Sequence, residues 1–154
     1  MGFWTDKRIL VTGGAGFLGS FMVEKLLKER QVNPTNIRVP RSKDMDLRRW
    51  ESCVEAVKDI DIAIHLAARV GGIGFNKKYP ATLFYDNAIM GIQLMEAARR
   101  EGVQKFVAIG TVCAYPKYAS VPFREEELWE GYPEETNAPY GIAKKILLVQ
   151  AQAY

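Results

Sequence analysis

The stretch Val11-Thr12-Gly13-Gly14-Ala15-Gly16-Phe17-Leu18-Gly19 decides the fold of this chain. The apolar run 8–12 predicts a short buried strand, and residues 17–30 predict an amphipathic helix. The apolar side of that helix is predicted to consist of Phe17, Leu18, Phe21, Met22, Leu26 and Leu27. The glycines fit two overlapping patterns, Gly14-x-Gly16-x-x-Gly19 and Gly13-x-x-Gly16-x-x-Gly19. A glycine turn between a strand and a helix is typical of a dinucleotide site.

Each glycine of such a turn has its own physical task. The first makes a tight bend, the middle one lets the backbone approach a pyrophosphate, and the last lets helix and strand pack closely. The helix N-terminus offers free N–H groups and a positive dipole end to the phosphates. The residues predicted to bind them are Gly13, Gly16, Phe17, Leu18 and Gly19. A purely structural strand–turn–helix is the alternative.

The rest of the chain alternates between strand and helix patterns, which indicates the α/β class. Further strands are predicted at 36–39, 61–66 and 105–109, and further helices at 47–58, at about 80–101 and from about 140 onward. We predict a Rossmann-like, doubly wound parallel sheet in the strand order 2-1-3-4, with helices on both faces. The glycine turn is expected at the carboxyl edge of this sheet, beside the point where the strand order reverses.

The number of strands bears on domain organisation. A doubly wound sheet usually carries about six strands, and the sequence shows signals for only four. Residues 1–154 are therefore expected to form one incomplete dinucleotide-binding domain. The last strands and a C-terminal substrate domain would be absent, as in the front part of a longer protein.

Composition excludes several other classes. Apolar residues make up 48% and charged residues 25%, as in an ordinary globular protein. A net charge of +3 is too small to indicate a nucleic-acid or membrane partner, and there is no apolar stretch of membrane-spanning length. The 2 cysteines form no disulfide framework, which favours a reducing, cytoplasmic location. No metal site is predicted.

Tyr140 and Lys144 form a second candidate site. Their spacing places the hydroxyl and the ammonium on one face of a helix. A nearby ammonium favours the phenolate, so the pKa of Tyr140 is predicted to fall and its proton to become available. Such a pair is usually just a solvated face, but the glycine turn upstream favours a catalytic pair.

The end of the second predicted strand indicates the cofactor. NAD sites usually place an acidic residue about 20 residues beyond the glycine turn, whereas NADP sites use arginine. Here the sequence is Arg38-Val39-Pro40-Arg41-Ser42-Lys43, with no acid before Asp44. Arg38 and Arg41 are therefore predicted to bind a 2′-phosphate, which favours NADP(H) over NAD(H). A solvated basic loop is the alternative.

Four motifs in this order resemble the extended short-chain dehydrogenase/reductase family. They are residues 12–19, His65-Leu66-Ala67-Ala68, Asn87-x-x-x-Gly91 and Tyr140-x-x-x-Lys144. A second set is similar to the subfamily that converts GDP-4-keto-6-deoxymannose into GDP-L-fucose, although GDP-mannose 3,5-epimerases share part of it. This set consists of Val70-Gly71-Gly72-Ile73, Asn76-x-x-Tyr79-Pro80-Ala81, Cys113-Ala114-Tyr115-Pro116 and Pro133-x-x-Thr136-Asn137-x-Pro139-Tyr140.

The resemblance implies roles for individual residues. Tyr140 would give a proton to the sugar C4 oxygen, Thr111 would hydrogen-bond the same oxygen, and Lys144 would hold the nicotinamide ribose. Thr111 could instead be a strand-end residue that satisfies backbone. Further cofactor contacts would come from Asp46, Leu47, Leu66, Ala67, Ala68 and Asn87.

Cys113 has the most specific implied role. Epimerisation beside a ketone needs a base that removes an α-proton and an acid that returns one on the other face. By resemblance Cys113 fills one role and a histidine the other. The only histidine, His65, lies in a strand motif and is expected to pack beside the cofactor, so the partner is expected beyond Tyr154. An inert core cysteine is the alternative.

Three functions therefore compete. The first is an NADPH-dependent epimerase and reductase that acts on a GDP-linked 4-keto-6-deoxyhexose. The second is another nucleotide-sugar epimerase or dehydratase, such as a GDP-mannose 3,5-epimerase. The third is a truncated module that binds the cofactor and catalyses nothing. Cys113 and the loop 70–72 count against simple 4-epimerases, which need neither.

The resemblance also implies a homodimer. In extended family members the long helix before the fourth strand and the Tyr-x-x-x-Lys helix pack against their copies. The candidate apolar contacts in this sequence are Leu83, Ile89, Leu94, Met95, Ile146 and Val149.

Overall fold

A computed structural model describes residues 2–154. The strands are β1 (Ile9–Thr12), β2 (Ile37–Arg38), β3 (Ile62–His65) and β4 (Lys105–Ala108). The α-helices are α1 (Phe17–Lys28), α2 (Trp50–Val57), α3 (Ile73–Lys78), α4 (Pro80–Arg100) and α5 (Ala138–Ala153). Short 3₁₀ turns lie at Pro34–Asn36, Val112–Ala114 and Glu125–Trp129.

The sheet has the predicted topology. Its 4 strands run in the order β2-β1-β3-β4, and every pairing is parallel. The strand order reverses between β1 and β3, which is where open α/β sheets bind ligands. Thr12 and His65, the last residues of these two strands, are directly paired.

Successive residues of a strand point to opposite faces of the sheet, and here they pack into two separate cores, one on each face. The prediction of helices on both faces is therefore confirmed. Leu10 of β1 packs in a cluster that contains residues of α2 and of the second half of α4. Its neighbours Ile9 and Val11 pack in the other cluster, with Leu26 of α1. All three strand residues are completely buried. Helix α1 therefore covers one face of the sheet, and α2 and the second half of α4 cover the other.

The chain divides into two compact units. The first runs up to Ala68 and resumes from Met90 to Ala108, and it contains the whole sheet with α1 and α2. The second comprises Arg69–Ile89 and Ile109–Tyr154, and it contains α3, the first half of α4, and α5. The glycine turn belongs to the first unit, and the residues around Tyr140 belong to the second.

The predicted apolar side of α1 is wrong in its first two turns. Phe17, Leu18 and Phe21 are exposed, whereas Leu26 is buried as predicted. The reason is the packing of Gly19. It contacts the glycine turn so closely that the inward row of the helix runs from Gly19 to Leu26, and the bulky residues at its start point outward.

The predicted contacts for a dimer also need correction. Leu83, Leu94 and Met95 are buried within the chain, because these residues of α4 face inward. Val149 of α5 is exposed, and Ile89 and Ile146 are partly buried. The large apolar residues that α4 and α5 leave exposed are Phe84, Tyr85, Ile92, Leu148 and Val149.

Two helical features differ from the prediction. Helix α3 is not among the predicted helices, because 6 residues are too few to show a helical period. Helix α5 begins at Ala138, before the predicted start near Tyr140, because Pro139 suits the first turn of a helix. Within residues 2–154, no helix has both the length and the apolar character needed to cross a membrane.

Candidate functional site

The glycine turn has a shape that only glycine can form at its first position. Gly13 has a φ of +69°, in the left-handed region that favours glycine. A Cβ atom there would also lie 2.8 Å from the backbone nitrogen of Ala67. The turn closes through hydrogen bonds from Gly14 N to Val11 O and from Gly16 N to Gly13 O. Conformation and space together therefore require glycine at position 13.

The start of α1 fits the phosphates of a dinucleotide. A Cβ on Gly19 would lie 2.1 Å from the carbonyl oxygen of Gly13, so the helix sits directly on the turn. The N-cap residue Gly16 offers no side-chain cap, and the first turn of α1 contains no acidic residue. The first N–H groups of a helix lack partners within it, so here they remain available for an external anion.

Thr12 and His65, at the carboxyl ends of β1 and β3, are linked by a polar contact next to this turn. Thr12 Oγ1 accepts a hydrogen bond from Ala67 N at 3.1 Å and lies 2.8 Å from His65 Nδ1. Both side chains are buried, His65 with 1% exposure. His65 therefore joins the carboxyl ends of β1 and β3, which supports the interpretation that it is packed and not catalytic.

Arg38 has a structural role that the sequence prediction did not include. Its Nη1 donates to the carbonyl oxygens of Glu55, Ala56 and Lys58, at 2.9, 3.0 and 2.9 Å. These are carbonyls at the C-terminal end of α2, where a cation is favourable. Arg41 is exposed, in the segment after β2. Of the two predicted phosphate ligands, Arg41 is thus the one whose side chain is open to solvent.

Asp46 and Leu47, two of the predicted cofactor contacts, lie in different environments. Arg48 Nε and Nη2 donate to the Asp46 carboxylate, at 2.9 and 2.7 Å, and these hydrogen bonds lower its pKa. The side chain of Leu47 is buried in the core beside α2. The chain after β3, residues 66–68, is partly buried.

Asn87 acts as a clamp on the backbone of Arg69. Its Oδ1 accepts from Arg69 N at 2.8 Å, and its Nδ2 donates to Arg69 O at 2.9 Å and to Leu83 O at 2.7 Å. Asn87 is buried, and the neighbouring Asp86 binds the Arg69 guanidinium at 2.8 Å. Arg69 and Asp86 were not among the residues predicted from the sequence, although the position of Asp86 beside Asn87 could have indicated them.

Thr111 and Cys113 form a compact turn against α5. Thr111 caps the 3₁₀ turn Val112–Ala114, and its Oγ1 accepts from Cys113 N at 3.2 Å. Because this oxygen acts as an acceptor, the hydroxyl proton remains to be donated elsewhere. Gly141 packs so closely on this turn that a Cβ would lie 2.1 Å from Cys113 O. The structure thus brings Thr111, Cys113 and the first turn of the Tyr140 helix together.

The predicted fall in the pKa of Tyr140 is wrong. Burial raises the pKa of Tyr140, and the negative charge of an ionised Cys113 raises it further. Lys144 is itself buried, and this burial lowers the pKa of its amine. Desolvation penalises the charged forms of both groups and is the largest cause of each shift. Tyr140 therefore keeps its proton at neutral pH and is suited to be a proton donor.

The two cysteines lie in different environments. Cys53 is completely buried, its Sγ donates to Leu47 O, and burial raises its pKa to about 12. Such a thiol is inert at neutral pH. Cys113 is partly exposed, at the turn that Gly141 contacts. Of the two thiols, Cys113 is therefore the accessible one. The described residues contain no group of three or more His, Cys, Asp or Glu side chains that could hold a metal ion.

Comparison with known proteins agrees with this arrangement. Residues 9–154 match the model of the NAD dependent epimerase/dehydratase family. The chain is 39% identical over 150 residues to a GDP-L-fucose synthase of Sinorhizobium fredii, across 96% of this chain and 46% of that protein. It is 28% identical over 159 residues to GDP-mannose 3,5-epimerase 1 of Oryza sativa subsp. indica, across 92% of this chain and 41% of that protein.

A solved structure shows the same similarity. The chain superimposes on a GDP-L-fucose synthetase from Naegleria fowleri bound to NADP with a TM-score of 0.84 and 32% identity. The match covers 100% of this chain and 46% of that one. The chain thus spans less than half the length of these relatives.

Proposed function

Because the chain belongs to the NAD dependent epimerase/dehydratase family, we propose that it carries the cofactor site and part of the acid–base machinery of a GDP-L-fucose synthase. That enzyme would epimerise C3 and C5 of GDP-4-keto-6-deoxymannose and reduce C4 with NADPH. The observation that carries the proposal is the contact of the Cys113 turn with the Tyr140 helix. A reductase needs the tyrosine alone, whereas a combined epimerase also needs a second acid–base group.

The reduction half uses Tyr140 and Thr111. NADPH, when bound, supplies the hydride that C4 receives. Tyr140 gives its proton to the C4 oxygen, and its raised pKa means that the proton is present at neutral pH. The Thr111 hydroxyl, whose oxygen already accepts from Cys113 N, donates a hydrogen bond to the same sugar oxygen and keeps its proton.

The epimerisation half uses Cys113. Its thiolate removes the acidic proton beside the C4 ketone, and a second group returns a proton to the same carbon on the opposite face. His65 is the only histidine of the chain, and it is buried between the strand ends. We therefore propose that the second group lies outside residues 2–154.

NADP(H) is the cofactor that the first unit fits best. The uncapped start of α1 receives the phosphates, and the exposed Arg41 offers a guanidinium to a 2′-phosphate. The similar Naegleria fowleri structure is bound to NADP, which supports the same choice.

Two free cysteines favour a cytoplasmic location.

We also propose a homodimer through α4 and α5. The exposed apolar residues Phe84 and Tyr85 of α4, and Leu148 and Val149 of α5, supply its contacts. Large apolar side chains are costly to leave in water, and a second copy would cover them.

One observation favours a second candidate, a GDP-mannose 3,5-epimerase. The similar epimerase from Oryza sativa aligns with 92% of this chain, and base chemistry at Cys113 would serve that reaction as well. A third candidate is a module that binds cofactor without catalysis, since the chain covers less than half of its relatives' length.

A single assay separates the three candidates. The complete gene product and the 154-residue chain would each be incubated with NADPH and GDP-4-keto-6-deoxymannose, and separately with GDP-mannose. NMR would identify the sugars. GDP-L-fucose formed with matching NADPH oxidation supports the proposal. Epimers of GDP-mannose without net oxidation favour the second candidate, and cofactor binding without any turnover favours the third.

A further inference from the structure

Asn76 forms a buried link between two parts of the second unit. It lies in α3, with 8% of its surface exposed. Its Nδ2 donates to Asn137 Oδ1 at 2.9 Å, across 61 residues of sequence. An amide in such a place costs free energy unless it is hydrogen-bonded, so this contact fixes how α3 meets the start of α5.

Asn137 is held from its other side by Glu134. The carboxylate Oε2 accepts from Asn137 N at 3.1 Å and from Asn137 Nδ2 at 2.8 Å. Thr136 donates to the same carboxylate through its N–H and its hydroxyl, at 3.1 and 2.6 Å. These hydrogen bonds lower the pKa of Glu134, so it remains an acceptor at neutral pH. Asn137 therefore sits between two fixed partners.

The side chain of Asn137 is used in an unusual way. Asparagine at an N-cap normally turns its oxygen to the first N–H groups of its own helix. Here Asn137 is the N-cap of α5 but makes no side-chain cap, because its Oδ1 accepts from Asn76. A stabilising cap is thus replaced by a link to another segment.

The hydrogen bond between Asn76 and Asn137 is connected to Tyr140 through the first turn of α5. Asn137 O accepts from Gly141 N at 2.8 Å, which closes the first turn of α5 around Tyr140. The same Gly141 packs against the Cys113 carbonyl. A shift at Asn137 would therefore move Tyr140 relative to Cys113.

We propose that Asn76 is a positioning residue. Its side-chain amide holds the first turn of α5 in place and so determines the position of Tyr140 relative to Cys113. The chemical consequence rests on the proposed function, whereas the positioning itself can be measured on the chain without any substrate. Asn76 belongs to the motif that resembles the fucose-forming subfamily, and this role explains why a buried amide is needed at that position.

The experiment measures Tyr140 in the chain itself. Tyrosines labelled with ¹³C at Cζ would be titrated by NMR, with Tyr140 assigned through Tyr140→Phe, and hydrogen exchange would be followed at the Gly141 amide. In Asn76→Ala we expect Gly141 exchange to become faster by on the order of tenfold, as for one lost hydrogen bond. The pKa of Tyr140 should move down toward its ordinary value, because water reaches the loosened turn.

Asn33→Ala is the matched control. Asn33 also makes side-chain hydrogen bonds, but its partners Thr35 N and Oγ1 are local and lie in the first unit. It should destabilise the chain without changing Tyr140 or Gly141. If Asn76→Ala does not fold, Asn76→Leu keeps the side-chain size and removes only the amide.

Unchanged Tyr140 titration and Gly141 exchange in a folded Asn76 variant would overturn the proposal, as would equal effects in Asn33→Ala. In the complete gene product, Asn76→Ala should lower the rate of hydride transfer while NADPH binding stays the same. A wild-type protein without turnover would count against the proposed function alone, since the titration reports the positioning independently.

Discussion

Gly141 packs against the carbonyl oxygen of Cys113 so closely that a Cβ at this glycine would lie 2.1 Å from that oxygen. This contact brings the first turn of α5 onto the cap formed by Thr111. Tyr140 directly precedes Gly141, and the negative charge of Cys113 adds to the effect of burial in raising the pKa of Tyr140. The two groups that we propose for the two half-reactions are therefore brought to the same turn.

The first prediction concerns the ionisation of Tyr140. Burial is the larger cause of its raised pKa, and the Cys113 charge is the smaller one. Cys113→Ala should therefore lower the Tyr140 pKa part of the way, while it stays above the ordinary value of 10.0. NMR titration of labelled tyrosine measures this. Cys53→Ala is the control and should leave Tyr140 unchanged; an equal response to both substitutions would contradict the assignment.

The same shift has a consequence for stability. A raised pKa in the folded state means that Tyr140 contributes fully to stability below its ordinary pKa of 10.0. The contribution is lost as the pH rises through the folded pKa, because the unfolded chain ionises first. Unfolding in denaturant between pH 9 and pH 12 should thus show a steeper loss of stability in the wild type than in Tyr140→Phe.

The glycine turn yields the second prediction. Gly19→Ala places a methyl group 2.1 Å from Gly13 O, so helix and turn must separate. We expect a loss of roughly 1–3 kcal/mol in the free energy of unfolding and weaker NADPH binding. Gly72→Ala is the control, because nothing lies within 4 Å of its Cβ position. NADPH affinity in Gly19→Ala equal to that of the control would contradict the role of the turn.

The third prediction separates the two arginines. Arg41→Ala should reduce the preference for NADPH over NADH by on the order of tenfold, with little change in stability, because Arg41 is exposed. Arg38→Ala should instead lower the free energy of unfolding by about 1–3 kcal/mol, since three α2 carbonyls lose their donor. Calorimetric titration and denaturant unfolding measure the two effects. An unchanged preference in Arg41→Ala would remove the basis for the 2′-phosphate contact.

Association provides the fourth prediction. The double substitution Phe84→Glu and Val149→Glu should convert a dimer into a monomer, because it places charges among the exposed apolar residues of α4 and α5. Tyr118→Glu, at a residue that is 89% exposed and lies outside both helices, should leave the dimer intact. Sedimentation at high micromolar concentration distinguishes these states. A monomeric wild type under those conditions would refute the dimer.

The glycine turn was predictable because it depends on a local pattern, and the strand order was predictable because alternating strands and helices usually form a doubly wound sheet. Gly13 predicted a tight bend and Gly19 a close contact between helix and turn, and the structure shows both. The inward face of α1 was not predictable from apolar spacing alone. Gly19, with no side chain, determines that face, so Phe17 and Phe21 point outward.

The pKa values and the polar links could not be read from spacing. Tyr140 and Lys144 are four residues apart, as an ion-assisted pair requires, but their burial reverses the expected shift. The link between Asn76 and Asn137 joins residues 61 apart, so only the tertiary fold reveals it. The hydrogen bonds of Arg38 could not be predicted from the sequence either, because the carbonyl oxygens that accept them lie at the C-terminal end of α2.

The separation of reduction from epimerisation tests the central claim most directly. In the complete gene product, Tyr140→Phe removes the donor for the C4 oxygen and should slow hydride transfer by on the order of 10²–10⁴-fold. The protons on C3 and C5 of the keto-sugar should still exchange with solvent. Cys113→Ser should do the opposite, because a hydroxyl is a poor base.

Deuterium incorporation from heavy water into GDP-4-keto-6-deoxymannose, followed by NMR beside NADPH oxidation, is the deciding measurement. With Tyr140→Phe we expect deuterium incorporation at C3 and C5 with little oxidation of NADPH. With Cys113→Ser we expect no incorporation, while hydride transfer to the unepimerised ketone continues. Normal deuterium incorporation in Cys113→Ser would contradict the account and reduce Cys113 to a packing residue.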